Sequence, residues 1–411
     1  MKSLKEKSKI VKSTLLALFA SAAAACAQDW CWQNFAGSLT ASGDVDDTGA
    51  AARFSSIYGI DINGAENLLV VMDRGAGKIK TVTIPGGVVT SVQGPGLDLL
   101  ECAINKVNGN LYYPDTGTTI RKLAAPYTGS PTTIANIAAF SVAVDSASDT
   151  VYIPDRANNQ IYYLPSGGSP ILLAGSGTPG LVDGTLAEAQ FRFPMGMAVV
   201  VSGGNTNIYL VERDNHAIRH IDVAANSVTL VAGGSQGTAD GTGAAAQFSQ
   251  PHNVVMGPDG NLYVCDQDNY TVRKVTLPGG VVTTIMGVNQ NASGTGGATE
   301  GCGAAARNGN LGQITIDSAG HIYTGDRAQP SGSFAHIMKG TPPGSTTVVQ
   351  IGFTGGGSDT ASSFTLQSSG NVTPASGYGN VSATITGPTG GPFQATIAPS
   401  GPRQFYRIKH N

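Results

Sequence analysis

The segment Thr48-Gly-Ala-Ala-Ala-Arg-Phe-Ser-Ser56 recurs nearly two hundred residues later as Thr242-Gly-Ala-Ala-Ala-Gln-Phe-Ser-Gln250. A third copy runs Asp183-Gly-Thr-Leu-Ala-Glu-Ala-Gln-Phe191, and a degenerate copy runs Gly301-Cys-Gly-Ala-Ala-Ala-Arg307. Self-similarity at a fixed period is the sequence signature of a repeat architecture. The chain therefore uses one supersecondary unit several times.

Each copy continues into four short apolar strands separated by turns. Asp259-Gly260 and Asn108-Gly109 are strong hairpin signals, because the turns that they favour need positive φ. The second strand usually ends in an acid, as in Leu111–Asp115, Val151–Asp155, Leu262–Asp266 and Ile322–Asp326. Four antiparallel strands with a period of about 40–55 residues are typical of one blade of a β-propeller.

The repeat predicts an all-β protein built on a six-bladed β-propeller. The blades are expected at 54–94, 99–135, 139–175, 191–233, 248–287 and 311–352. A single blade leaves an apolar face exposed, so the copies need one another. Two segments compete for the fourth strand of the last blade, Trp32–Ser38 from before blade 1 and Val348–Ile351. We favour the N-terminal segment, which would latch the ring.

The third strands carry the residues on which a family resemblance rests. Asn215-His216-Ala217-Ile218-Arg219 resembles the motif for which the NHL family is named. Its counterparts are Asn158-Asn159-Gln160-Ile161 and Asn269-Tyr270-Thr271-Val272-Arg273. The resemblance covers about three quarters of the chain and implies an NHL-type propeller. It implies little about activity, because a fold does not fix a function.

The N-terminus is typical of a secretory signal. Residues 1–27 combine a lysine-rich start, an apolar stretch too short to span a bilayer and small residues before a cleavage site after Ala27. Lipidation at Cys26 is the alternative. We expect a secreted, periplasmic or cell-surface protein, and no later stretch of sequence is apolar enough to be a transmembrane segment.

The C-terminal part departs from the repeat. Residues 28–352 are expected to form the propeller, 353–363 a linker rich in Gly, Ser and Thr, and 364–411 a small β-module. The module resembles a short β-module at the C-termini of exported bacterial proteins, which ends in a Gln-Arg-Phe-Tyr-Arg-like motif. Here the motif is Pro402-Arg-Gln-Phe-Tyr-Arg407, with Arg and Gln exchanged. The resemblance implies a secreted or surface context.

Charge is sparse in this sequence. Only 12% of residues are charged and the formal net charge is −3, whereas about 25% is usual for soluble domains. The sequence has no basic stripe, which argues against nucleic acid as a partner. Long Gly/Ala-rich segments precede four of the blades, at 43–53, 176–190, 235–247 and 288–310. We expect them on one face of the disc, either as ligand-binding loops or as plain connections.

Cysteines permit two disulfides. Removal of the signal leaves Cys31, Cys102, Cys265 and Cys302, an even number with three possible connectivities. Cys102 and Cys265 lie in apolar strand patterns that equally suit buried thiols. Cys31 with Cys302 is the preferred pair, because a propeller brings its two chain ends together.

The acids at the ends of the second strands form the most regular constellation. They are Asp73, Asp115, Asp155, Asp266 and Asp326. One interpretation is a ring of metal ligands or proton-transfer groups. Recurrence at the same repeat position favours a structural role, in which each carboxylate accepts N–H groups from the following turn. The fourth copy departs, with Glu212-Arg213-Asp214.

Candidate ligands or bases among the histidines are His216, His220, His252 and His321. Peptide-amidating lyases, which have a similar architecture, hold zinc in the channel through histidines that follow prolines on first strands. Only Pro251-His252 matches, and the equivalent positions hold Tyr58 and Met195. Catalytic zinc needs three protein ligands. Tyr58, Met195 and His252 are instead the ligand-binding candidates at the channel mouth.

Gluconolactonase-like propellers provide a second comparison, because they hold a divalent cation through Glu, Asn and Asp. Only Glu212 has Asn and Asp neighbours at an in-blade position, and no motif supports the match. The sequence also lacks a Gly-x-Ser-x-Gly elbow, a Walker loop and His-Glu-x-x-His. We predict no cofactor, and neither calcium nor zinc has sequence support.

Binding is the function that these observations favour. Propellers present loops on two faces of a rigid disc, and ligands use those faces. Low-charge loops rich in Gly, Thr, Asn and Ser suit a protein or glycan ligand. The sequence therefore predicts a monomeric secreted or cell-surface binding scaffold. The alternative is a metal-dependent lyase or hydrolase with its site in the channel.

Overall fold

A computed structural model describes residues 29–287, 299–307, 309–327 and 334–343, together with the backbone of six strands between 349 and 410. The chain is all-β, with 51% of residues in strands and 4% in helix. It divides into two compact units, Cys26–Ser345 and a second unit that contains Thr346–Asn411. The secretory signal expected at 1–27 lies outside the described residues.

The larger unit is a ring of six antiparallel sheets, which we call blades 1 to 6 in chain order. The strands of each blade are given from the axis outwards. The strands of blade 1 are Ile57–Ile62, Leu68–Asp73, Lys78–Thr83 and Val89–Gln93; those of blade 2 are Ala103–Ile104, Leu111–Asp115, Thr119–Leu123 and Thr132–Ala135. Blade 3 contains Ala143–Asp145, Thr150–Asp155, Gln160–Leu164 and Ile171–Ala174; blade 4 contains Pro194–Ser202, Asn205–Glu212, Ala217–Asp222 and Ser227–Gly233. Blade 5 contains Pro251–Met256, Leu262–Asp266, Thr271–Thr276 and Val281–Met286; blade 6 contains Asn310–Ile316, Ile322–Arg327, Ile337–Thr341 and Cys31–Ala36.

Apolar side chains on both faces of the blades hold the ring together. Six buried hydrophobic clusters lie between successive blades. In the cluster that closes the ring, Phe54 and Ile60 of blade 1 pack with Tyr323 and Ile337 of blade 6. Burial of one such side chain stabilises the fold by about 1.5–3 kcal/mol, so the copies of the repeat stabilise one another.

The N-terminal strand completes blade 6. Cys31–Ala36 pairs antiparallel with Ile337–Thr341 and supplies the fourth strand, as the sequence analysis favoured. The competing segment has a different partner, because Val349–Thr354 pairs with Pro392–Ile397 in the second unit. The propeller boundary expected at 352 is therefore wrong. The backbone edge of Ile337–Thr341 is already occupied by the N-terminal strand, which leaves no place for a later one.

Before their first strands, blades 1, 4, 5 and 6 each have a segment that we call a strap. The straps are 43–53, 176–190, 235–247 and the described part of 288–310. A strap crosses the outermost strand of its own blade, as Gly241–Thr242 does where it pairs with Val281 and Val282. Three straps then make a single 3-10 turn: Gly49–Ala51, Gly243–Ala245 and Gly303–Ala305. The first residue of each turn has φ between +55 and +57°, a conformation that favours glycine. This requirement explains the glycine of the recurring Gly-Ala-Ala.

The second unit contains two three-stranded sheets. One consists of Val349–Thr354, Pro392–Ile397 and Thr384–Thr386, and the other of Gly379–Asn380, Phe364–Ser369 and Phe405–His410. The first two residues of the linker expected at 353–363 belong to the strand Val349–Thr354, and 355–363 lie outside the described residues. In the part of the chain that the structure describes, no helix is long and apolar enough to cross a membrane.

Candidate functional site at the mouth of the propeller axis

The acids at the repeat position fasten the beginning of four of the six blades. Most of them accept backbone N–H groups from the residues that lead into the first strand of the same blade. The pairs are Asp73 with Ser56 (2.9 Å), Asp266 with Ser249 (2.7 Å), Asp326 with Gly309 (2.7 Å) and, at the variant position, Glu212 with Arg192 (2.8 Å). Asp155 instead caps its following turn through Ala157 and Asn158, the arrangement that the sequence analysis expected for all of them.

A buried base on the third strand completes this structural module in blades 1, 4 and 5. Arg273 donates to Asp266 (2.8 Å), to strap residue Asp240 (2.8 Å) and to two strap carbonyl oxygens. Arg219 makes the equivalent contacts to Glu212 (2.6 Å) and Asp183 (2.7 Å). Both guanidinium groups are almost wholly buried. We call Arg219, Arg273 and the bases at the same position, Lys80 and Arg121, the rim bases.

The residue that follows the repeat acid is arginine in four of the six blades. These axial arginines are Arg74, Arg156, Arg213 and Arg327, from blades 1, 3, 4 and 6. Arg74, Arg156 and Arg213 directly follow a second strand and Arg327 is the last residue of one, so that all four lie beside the start of a first strand. First strands lie next to the axis, where Gly196 comes so close to Asn253 that a Cβ would stand 2.6 Å from its Cα. The propeller therefore gathers four separate cations at one end of its axis.

Aromatic rings lie between these cations. Tyr58 is stacked by the guanidinium groups of Arg74, at 4.7 Å from the ring centroid, and Arg327, at 4.3 Å. Phe140 contacts Arg327 and Arg156 at 5.2 and 5.7 Å. A third ring continues the series: Phe193 contacts Arg156 at 5.9 Å and Arg213 at 5.3 Å. Cation–aromatic contacts of this kind are worth about 0.5–2 kcal/mol each, so they fix the arginine side chains in place.

Beneath the arginines lies a buried polar floor. His252 Nδ1 is 2.6 Å from Oε1 of Glu101, and Arg327 Nη2 donates to His252 Nε2 at 2.8 Å. A guanidinium group only donates, so Nε2 accepts and the imidazole proton belongs on Nδ1, facing the carboxyl group. Asn253 donates to the other carboxyl oxygen at 2.8 Å. The floor is thus a hydrogen-bonded unit shared by blades 2, 5 and 6.

Burial governs the charges of the floor. It raises the pKa of Glu101 to about 8, despite the opposing effect of Arg327. Burial and the neighbouring cations Arg327 and Arg213 lower the pKa of His252 well below its ordinary value. At neutral pH the Glu101 carboxyl is therefore mainly protonated and His252 is neutral. The floor does little to neutralise the arginines above it.

Acidic partners of the axial arginines are unevenly distributed. Arg74 pairs with Asp98 at 2.6 Å, and Arg213 lies 3.5 Å from Asp214. Among the described residues, Arg156 has no acidic partner. Burial and the neighbouring Arg74 cation lower the pKa of Arg156. The mouth therefore concentrates positive charge that the protein itself leaves partly uncompensated.

The structure places the three predicted mouth residues at two depths. Tyr58 is half-buried among the axial arginines, whereas His252 and Met195 are buried below them, 2% and 1% exposed. Met195 belongs to the hydrophobic core between blades 4 and 5.

Cys31 and Cys302 form a disulfide between the outermost strand and the strap of blade 6, and the thiols of Cys102 and Cys265 are free and buried.

Sequence reasoning missed the axial arginines, although their signal is present. Asp73-Arg74, Asp155-Arg156, Glu212-Arg213 and Asp326-Arg327 repeat an acid–arginine pair at the end of the second strand. The straps, which were expected as candidate ligand-binding loops, hydrogen bond to the outer strands instead. Strap residues Asp46, Asp183 and Asp240 accept N–H groups from Ser91, Leu230 and Thr284. This outer position separates them from the mouth.

The described residues do not form the cluster of side chains that a metal site would need. Within the part of the chain that is described, no group of three or more His, Cys, Asp or Glu side chains is arranged to hold a metal ion. His252, the one histidine at the matching position, contacts Arg327 and Glu101. His321 pairs with Asp317 in a turn, at 2.9 Å.

Comparisons with known proteins agree with the repeat and the fold. The chain is 36% identical over 124 residues to human "NHL repeat-containing protein 2", an alignment that spans 29% of this chain and 16% of that protein. The matched part of the chain is therefore similar to part of an NHL repeat-containing protein. No protein-family model matches it.

Solved structures share the propeller fold at low sequence identity. A Bacteroides thetaiotaomicron protein of unknown function has a TM-score of 0.59, 20% identity and 76% coverage of both chains. A Bacteroides ovatus protein described as an auxiliary nutrient binding protein has a TM-score of 0.58, 18% identity and 77% coverage of both chains. At such identities the likeness shows the fold alone.

Proposed function

We propose that this protein is an exported binding scaffold that holds its ligand at the axial mouth of the propeller. The observation that carries the proposal is the convergence of four arginines and three aromatic rings from different blades on one end of the axis. Ligand sites combine apolar and aromatic walls with a few convergent polar groups. The mouth has both, and its side chains are held in place before any ligand arrives.

Export is supported by two features of the chain. The sequence begins with a pattern typical of a secretory signal, and a disulfide joins Cys31 to Cys302. Disulfides persist mainly in oxidising compartments. The fold neighbour described as an auxiliary nutrient binding protein is in keeping with a binding role.

A binding screen with a mouth variant tests the location of the site. The full chain is screened for saccharides, peptides and metabolites that raise its melting temperature, since a ligand that binds the native state stabilises it. Tyr58→Ala removes the ring between Arg74 and Arg327 and is expected to abolish the stabilisation. The matched control, Tyr163→Ala, alters a ring on the third strand of blade 3 and is expected to retain it. Ligands that stabilise both variants equally would place the site elsewhere.

One observation supports an enzyme as the alternative to a binding scaffold. The 2.6 Å contact between Glu101 and His252 is the kind of carboxyl–imidazole pair that transfers protons in enzymes, and the alternative from sequence is a metal-dependent lyase or hydrolase in the channel. Metal analysis of the purified protein tests it. Stoichiometric zinc or calcium that disappears in His252→Ala would favour the enzyme, and unchanged ligand binding and stability in a chelator would favour the scaffold.

A further inference from the structure

We infer that the ligand of the axial mouth is an organic anion, a molecule whose carboxylate, sulfate or phosphate group is bound by the axial arginines. This inference rests on the proposed function and adds the ligand class. It also narrows the protein or glycan ligand that was expected from the sparse charge of the loops. The composition averages over the chain, whereas the fold brings four cations to one place.

The first argument is the geometry of the cations. The guanidinium groups alternate with rings in the order Arg74, Tyr58, Arg327, Phe140, Arg156, Phe193 and Arg213. A guanidinium group stacked on a ring keeps its N–H edge available for a planar anion, which it binds through two parallel hydrogen bonds. The arginines are therefore oriented in advance, which lowers the entropic cost of binding an anion.

The second argument is the contrast with the rim bases. Arg273 has two carboxylates and two carbonyl oxygens within 3.1 Å, and these satisfy its charge inside the fold. Arg156 has no such acceptors among the described residues, and it lies close enough to Arg74 for their charges to repel. Like charges held together cost stability unless an anion compensates them. An anion at the mouth would supply the missing acceptors.

The third argument concerns the body of the ligand. Tyr58, Phe140 and Phe193 are only partly buried, so apolar surface remains beside the cations. A bare inorganic ion would leave these rings unused, whereas an acidic saccharide or another organic acid would cover them. The mouth therefore selects for a charged group on an organic body. The net charge of −3 for the whole chain shows that the positive charge is local.

Calorimetric titration of the full chain tests the inference with named probes. The charged probes are trigalacturonate, a sulfated trisaccharide and inorganic phosphate, and galactotriose is the neutral match for the first. We expect at least one charged saccharide to bind at least about tenfold more tightly than galactotriose, since charge-assisted hydrogen bonds supply the difference. The affinity is expected to fall as salt is added, because salt screens the arginines.

A pair of arginine variants locates the interaction. Arg156→Gln removes the cation that lacks an acidic partner and is expected to weaken binding of the charged saccharide by about tenfold. Arg53→Gln removes a cation that bonds the carbonyl oxygens of Ala50, Ala51 and Ala52 in the strap of blade 1, and is expected to leave affinity unchanged. Thermal denaturation of both variants checks that they fold.

Each outcome separates the inference from the proposed function. Equal affinity for trigalacturonate and galactotriose, lost in Tyr58→Ala, would overturn the anion and leave the binding site standing. Charged saccharides that bind Arg156→Gln and Tyr58→Ala as well as the wild type would overturn both. Failure of every charged probe to bind at millimolar concentrations would overturn the inference. Phosphate that binds as tightly as the charged saccharides would support anion recognition while removing the role of the organic body.

Discussion

The propeller contains two sets of arginines whose surroundings are opposite. At the rim, Arg273 is buried and donates to Asp266, Asp240 and two carbonyl oxygens. At the axis, Arg156 is half-exposed, lies between two aromatic rings and has no acidic partner among the described residues. An arginine whose acceptors come from its own fold stabilises that fold. An arginine that the fold positions but does not satisfy is available to a ligand.

The largest effect is expected at the rim. Arg273→Met leaves Asp266 buried without its cation, and breaking a buried pair in this way costs about 3–5 kcal/mol. The matched variant is Arg121→Met in blade 2, where the base has a single carboxylate partner, Asp115, and is 31% exposed. That loss should cost about 1 kcal/mol or less. Urea denaturation of both variants measures the difference, and equal losses would show that the strap contributes nothing to the ion cluster.

A second effect concerns blade 6, which has Met338 at the position of the rim base. There the strap is joined to the outermost strand by the disulfide between Cys31 and Cys302. Cys302→Ser is expected to lower the free energy of unfolding by about 2–4 kcal/mol. Thr242→Ser changes the equivalent strap position of blade 5 and serves as the control. If reduction and Cys302→Ser left urea denaturation unchanged, the ring would be closed by the hydrophobic core of blades 1 and 6 alone.

The floor of the mouth predicts a dependence of stability on pH. Folded Glu101 holds its proton up to a pKa of about 8, whereas the ordinary value is 4.5. The native state binds more protons than the unfolded state between these values, so stability falls as pH rises through this window. Glu101→Gln removes this loss and is expected to raise Tm by roughly 5 °C at pH 8, with little effect at pH 5. Parallel Tm curves for variant and wild type across that range would contradict the buried, protonated carboxyl.

Much of this fold could be predicted from sequence because the same blade pattern recurs several times along the chain. Copies that agree at Phe54 and Phe248 predict blades, and Trp32–Ser38 resembles a fourth strand without a blade of its own. The end of the propeller was misplaced because Val348–Ile351 has the same strand pattern, and only the sheet pairing distinguishes the two. A strand pattern carries no information about which edge it occupies.

The site was harder to predict, for a different physical reason. Attention to histidines found His252, but its imidazole is buried beneath the arginines. Arg74 and Arg327 are more than 250 residues apart in sequence and contact the same ring, that of Tyr58. Each acid–arginine pair on its own is indistinguishable from a surface ion pair. Only closure of the ring turns separate pairs into one concentration of charge.

The smallest change in stability is expected at the axis. Arg156→Gln removes repulsion from Arg74 and two stacking contacts, two effects of opposite sign, so the free energy of unfolding should stay within about 1 kcal/mol of the wild type. Urea denaturation measures this alongside Arg273→Met. A loss as large as that of Arg273→Met would mean that Arg156 stabilises the fold like a rim base. A near-neutral result, combined with loss of anion binding, would show that the fold holds this arginine for a ligand and not for itself.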